Sequence, residues 1–167
     1  MSLAASVGVH LVQRGFSVRL VTAAGEETAP QWHEHGAHQA ETRPLLESLA
    51  VVTEVAHPHI DVKWLQDGGH SGLLIGILGS VADHDRPAFV RMRHSASAAM
   101  AVALDVPAWG RGGLPGPDPV PWLTSHGWRA VSAGPRDPMP TVWQEVGLLG
   151  RTRDSSRGGL LTPENIS

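Results

Sequence analysis

The sequence contains no cysteine, which removes disulfides, thiolate metal sites and cysteine nucleophiles together and leaves the compartment open. Lysine is nearly absent as well: of the 13 basic residues all but Lys63 are arginine. Alongside abundant alanine, glycine and proline, that bias reads as the codon usage of a GC-rich genome, not as an arginine-lined phosphate site. The formal net charge is only −3, so no bulk field points to nucleic acid or to an anionic membrane as a partner. No apolar run reaches the roughly 18 residues of a membrane span. The opening stretch MSLAASVGVHLVQRG is apolar but has no basic n-region, and His10 and Gln13 interrupt it, so a signal peptide is not expected.

Several chemical signatures are missing too. The segment GRGGLPGP, residues 110–117, lacks the Gly-Lys-Ser/Thr ending of a phosphate loop, and proline-rich sequence follows it. No G-x-G-x-x-G follows the apolar run ending at Leu78, which removes support for a dinucleotide fold. No G-x-S-x-G occurs, so Ser95 and Ser97 have no nucleophile elbow. No residue is assigned a catalytic role, and an enzyme is not expected.

What is present is an alternation of strand and helix patterns. At 167 residues one domain is expected, burying about 70% of its unfolded surface. It should span 1–149, with the polar, aperiodic residues 150–167 as a disordered tail. The organising stretch is GLLIGILGSVADHDRPAFVRMRHSASAAMAVALDV, residues 72–106. Leu73 to Leu78 is a continuous apolar run suited to a strand buried on both faces. Gly79 and Ser80 turn the chain. Asp83, Asp85 and Pro87 mark a helix start, and Ala88, Phe89, Met92 and Ala96 form its apolar face. Met100 to Leu104 is a second strand, completing a βαβ unit with an expected right-handed crossover.

Before that unit, residues 2–14 read as a helix with Leu3, Val7 and Leu11 on one face and Gly15 as its C′ residue. Residues 16–22 (FSVRLVT) alternate as a strand would. Residues 23–41 show no period. Thr42 is placed to cap a helix over 43–55 with Leu45, Leu46, Leu49 and Val52 as its stripe. After it, residues 121–127 make one or two helical turns, 128–133 (WRAVSA) a short strand, and Asp137-Pro138 opens a last helix carrying Val142, Trp143 and Val146. The pattern predicts an α/β fold with a mainly parallel sheet and flanking helices. A doubly wound sheet normally opens on its central strand, so the chain is expected to lack that first strand.

The runs SLAASVGVHLVQRGFSVRLVT, LLESLAVV, GLLIGILG, AVALDV and GWRAV, followed by a helix with Trp-Gln-Glu-Val, occur in an order that resembles the C-terminal half of the bacterial domain-of-unknown-function-58 proteins. The resemblance covers roughly residues 2–147. It implies a Rossmann-like, von Willebrand factor A-like domain, membrane-anchored in full-length relatives through N-terminal helices absent from this sequence. It also implies a MoxR-type AAA+ ATPase as partner, and a role in assembling or activating other complexes. The metal loop Asp-x-Ser-x-Ser of von Willebrand A domains is absent, so metal-dependent adhesion does not carry over. A truncated member of the family, placed in the cytoplasm and acting without a cofactor, is the expectation.

Ligands of open α/β sheets gather at the C-terminal ends of strands. There the sequence places Thr22, Ser80, Asp83 and Asp105; hydroxyl plus carboxylate is of the kind that holds Mg²⁺, and a site of Ser80, Asp83 and Asp105 serving binding or hydrolysis is the alternative. The plainer reading, which we favour, is that Ser80 and Asp83 turn the chain and cap a helix. His33, His35 and His38 with Glu34, and His57 with His59, have spacings open to Zn²⁺ or Ni²⁺, though His-rich loops usually hold none. Trp109 and Trp122 flank the Gly/Pro-rich segment and are the candidate protein-binding residues. Trp128 and Trp143 read as core. An open sheet edge would further favour self-association.

Overall fold

The computed structural model describes residues 2–22, 42–52, 60, 62–66, 72–110 and 116–149. The chain forms two compact units, residues 1–69 and 70–167.

In the first unit, helix α1 (Ser2–Gln13) ends as its sequence predicts: Gly15 adopts φ +83° and its N–H donates to Val12 O at 2.9 Å. Helix α2 (Arg43–Ala50) is shorter than the 43–55 pattern suggests. Thr42 occupies the N-cap position with helical backbone angles and forms no side-chain cap bond, while Pro44 in the first turn sets the entry. Leu45 and Leu49 are buried with Val12, and Ala4, Ala5, Val18 and Leu20 pack around them. Gly8 faces Leu45 so closely that a β-carbon there would collide with its Cδ2, so glycine is what lets the two helices meet.

The strand expected over 16–22 is not formed: residues 16–20 are irregular and only Val21 makes a bridge. Alternation is a pattern of side chains and does not by itself secure the hydrogen-bonded pairing that makes a strand. Phe16, at its start, is 60% exposed.

The second unit is a three-stranded parallel sheet with flanking helices, an α/β architecture of the Rossmann-like kind. Its strands are β1 (Leu73–Leu78), β2 (Ala98–Leu104) and β3 (Arg129–Ala133), in the order β1-β2-β3. Leu73 pairs with Ala98 and Met100 with Arg129, and both pairings are parallel. Helix α3 (Arg86–Ser95) connects β1 to β2, and α4 (Val120–Ser125) connects β2 to β3. Helix α5 (Met139–Leu148) follows β3; α4 packs on β3, and α5 packs on β3 and β2.

The burial of the strands corrects one expectation. The Leu/Ile-rich β1 is only partly buried along its length, with Leu73 at 47% exposure, whereas the alanine-rich β2 carries Ala99, Ala101, Val102 and Ala103 at 2% or less. Position in the sheet decides this. Strand β2 has a neighbour on each side, while among the described residues β1 pairs only with β2. Small side chains on the central strand let helices approach closely.

The core above the sheet is aromatic. Phe89 of α3 meets Trp128 edge-on with ring centroids 5.7 Å apart and Trp122 edge-on at 6.4 Å. Such pairs contribute about 0.5–1.5 kcal/mol beyond the area they bury. Leu123, Val142 and Val146 complete the buried set.

Candidate functional site

The C-terminal ends of parallel strands point to one rim, and in the second unit the segments after β1, β2 and β3 lie there. A β-carbon on Gly79, just after β1, would lie 3.2 Å from Val106 Cγ2, just after β2. Ser80 Cβ lies 3.5 Å from the corresponding position of Gly116. Asp105 N donates to Ala133 O at 2.9 Å, tying the end of β2 to the end of β3. Ser80, Asp83 and Asp105 therefore belong to loops of one rim, as the sequence predicts.

The carboxylates on this rim have local partners. Asp83 Oδ1 accepts from Arg86 at 3.0 Å, although its side chain is 87% exposed. Asp105 Oδ1 accepts from the Ala108 N–H at 3.3 Å. Asp118 Oδ1 accepts from Val120 N–H at 2.9 Å and Asp137 Oδ2 from Gly134 N–H at 2.7 Å. These are turn-closing and helix-entry bonds, the ordinary work of aspartate in loops. Ser80 is exposed. Among the described residues no three His, Asp or Glu side chains converge on a point suited to a metal ion. The histidines of the 33–38 and 57–59 segments lie outside the described residues.

The two candidate tryptophans differ in their surroundings. Trp122, in the first turn of α4, is partly buried. The Arg86 guanidinium lies over its ring at 5.3 Å and the His126 ring stacks on it at 4.3 Å. His126 Nδ1 lies 2.9 Å from Trp122 O and 3.1 Å from Ser125 Oγ. The packing of Arg86 and His126 on Trp122 is a contact set that the sequence reading missed. The i,i+4 spacing of Trp122 and His126 was a usable signal; nothing local links Arg86 to Trp122.

Trp109 stands in the open, 49% exposed, at the end of a short 3-10 turn over Pro107–Trp109. The turn is rigidly closed. Ala108 N donates to Asp105 O, Trp109 N to Val106 O and Gly110 N to Pro107 O, each at 3.1 Å. Gly110 follows with φ +70°, a left-handed conformation that glycine adopts without strain. An exposed indole is thus held on a backbone with few remaining degrees of freedom.

Compared with protein-family models, curated proteins and solved structures, the chain matches none. No helix among the described residues is long and apolar enough to cross a membrane.

Proposed function

We propose that this protein is a non-enzymatic interaction domain that docks a partner protein on the strand C-terminal rim, with Trp109 as its main contact. The observation that carries this reading is the half-exposed indole on a hydrogen-bonded turn. Tryptophan dominates binding hot spots because one ring buries a large area, and a rigid base lowers the ordering cost of using it. Trp122 is less available, its ring occupied by Arg86 and His126.

The ordered likeness to domain-of-unknown-function-58 proteins supports a finer proposal. The partner is an AAA+ ATPase of the MoxR type, met in the cytoplasm, and the outcome is assembly or activation of another complex. The partly exposed strand β1 adds a second contact, through which a further copy of the chain would pair edge to edge.

The test is direct binding of a purified MoxR-type ATPase to the full chain, by calorimetry, for the native protein and for Trp109→Ala. Saturable binding that Trp109→Ala abolishes supports the proposal. Binding that survives the substitution removes Trp109 as the contact, and no binding removes the ATPase as the partner.

A further inference from the structure

We infer that Gly79, just after β1, is a positioning residue for the Trp109 contact: through Val106 it sets where the indole stands. The inference rests on the interaction reading above and names what holds its contact in place. Trp109 closes its turn by donating from N to Val106 O at 3.1 Å, so the base of the indole moves with Val106. Val106 in turn meets Gly79, where a β-carbon would lie 3.2 Å from its Cγ2. Chain beyond the turn comes to the neighbouring residue: the β-carbon position of Gly116 lies 3.5 Å from Ser80 Cβ. The Gly79–Ser80 step therefore lies against chain on both sides of Trp109.

A methyl group at position 79 would demand a few tenths of an ångström from Val106. Which side yields follows from the sheet. Gly79 comes directly after the parallel ladder, whose last pair is Leu78 with Ala103, so the strand is the fixed side. Val106 lies one residue beyond the last bond to β3, from Asp105 N to Ala133 O, where the chain has left the sheet. Its side chain is branched at Cβ and stiff at χ1, so the methyl does not swing aside as the end of a long chain would, and the turn goes with it. Glycine at 79 thus serves the close approach of Val106; its own φ is not in the left-handed region. A binding hot spot fills a pocket of fixed shape, so an indole displaced with its turn loses contact while keeping all its atoms.

The test is fluorine NMR of the full chain with 5-fluorotryptophan at its 6 tryptophan positions, the Trp109 signal being assigned by its loss in Trp109→Phe. Gly79→Ala is expected to shift that signal and to leave the signal of buried Trp128 in place. Adding Val106→Ala, which removes the crowding methyls, should bring it back toward its native position. Gly76→Ala, in the same strand but with only an ordinary contact to Leu78 at 3.5 Å, should leave it unmoved. An unmoved Trp109 signal in folded Gly79→Ala, or one that Gly76→Ala shifts as far, overturns the inference and leaves the interaction reading intact. In the unmodified chain a nuclear Overhauser contact between Gly79 Hα and the Val106 methyls is expected, and its absence overturns the inference whether or not the variants fold. Binding of the MoxR-type ATPase should weaken in Gly79→Ala although the indole is still present. Equal affinity would overturn the positioning role, whereas no binding by the native chain removes the ATPase and not the fluorine result.

Discussion

Arg93 near the end of α3 closes two helices at once: its Nε donates to Gly127 O at 2.8 Å, 34 residues away, while its Nη1 donates to Ala96 O at 3.1 Å. Gly127 adopts φ +87° to turn the chain from α4 into β3, and a β-carbon there would lie 3.2 Å from Arg93 Nε. The guanidinium thus joins the C-terminal ends of both crossover helices, where its charge also opposes the helix dipoles favourably.

Breaking this clamp should loosen the second unit. Arg93→Met leaves two carbonyls without their charged donor and is expected to cost about 1.5–3 kcal/mol. Gly127→Ala forces a β-carbon into the left-handed region at about 1–2 kcal/mol, and presses on Arg93 besides. Urea denaturation of each variant and of the double variant checks this. The double should cost less than the sum, because the crowding disappears with the arginine.

Gly8 gives a test confined to the first unit. Alanine in a helix interior ordinarily gains about 1 kcal/mol over glycine. Here the added carbon meets Leu45, which is itself held by Val12 and Leu49, so Gly8→Ala is expected to destabilise. On a Leu45→Ala background the same substitution should become stabilising. A change of sign between the two backgrounds in denaturant melts is the expected signature.

The central strand should tolerate growth poorly. Ala101 is fully buried between two neighbouring strands, and Ala101→Leu is expected to cost about 1–3 kcal/mol or more by overpacking. Leu73→Ala, on the half-exposed end of β1, should cost about 1 kcal/mol or less. Equal losses for the two, read from thermal melts, would contradict the assignment of β2 as the buried strand.

Much of the second unit is legible in its sequence. The run of Leu73–Leu78, the Asp83/Asp85/Pro87 helix start, Ala88, Phe89 and Met92 as a buried face, and the Asp137-Pro138 helix start all correspond to observed structure, whereas Ala96, expected on the same face, is the extended C-cap residue beyond α3. Local rules govern each of them: apolar period, dipole and the fixed φ of proline. What was not legible is pairing. Leucine and isoleucine in β1 outweigh alanine in β2 for hydrophobicity, yet neighbours decide burial, and a single strand's composition does not state how many neighbours it has. The alternation in 16–22 likewise describes side chains and not pairing, and of these residues only Val21 makes a bridge. On the rim, Asp105 and Trp109 were readable as candidates because each sits at a strand end or a turn. The Arg86–Trp122 contact was not, since it exists only once α3 and α4 lie side by side.

The rim carboxylates yield a prediction about divalent metal. Asp83 is paired with Arg86 and Asp105 is turned toward Ala108 N, so both are expected to serve the loops and not a Mg²⁺ ion. Calorimetric titration with Mg²⁺, Mn²⁺ and Zn²⁺ should give no saturable heat that depends on them. A one-to-one heat abolished by Asp83→Asn and Asp105→Asn together would establish the Mg²⁺ site instead.

The central claim is that Trp109 touches a partner, and photocrosslinking in the host cell tests it most directly. A benzophenone amino acid is placed at position 109 in one sample and, as control, at exposed position 145 on α5. The account predicts one discrete protein adduct at 109, absent at 145. Identical adduct patterns at the two positions, or none at 109, would contradict it.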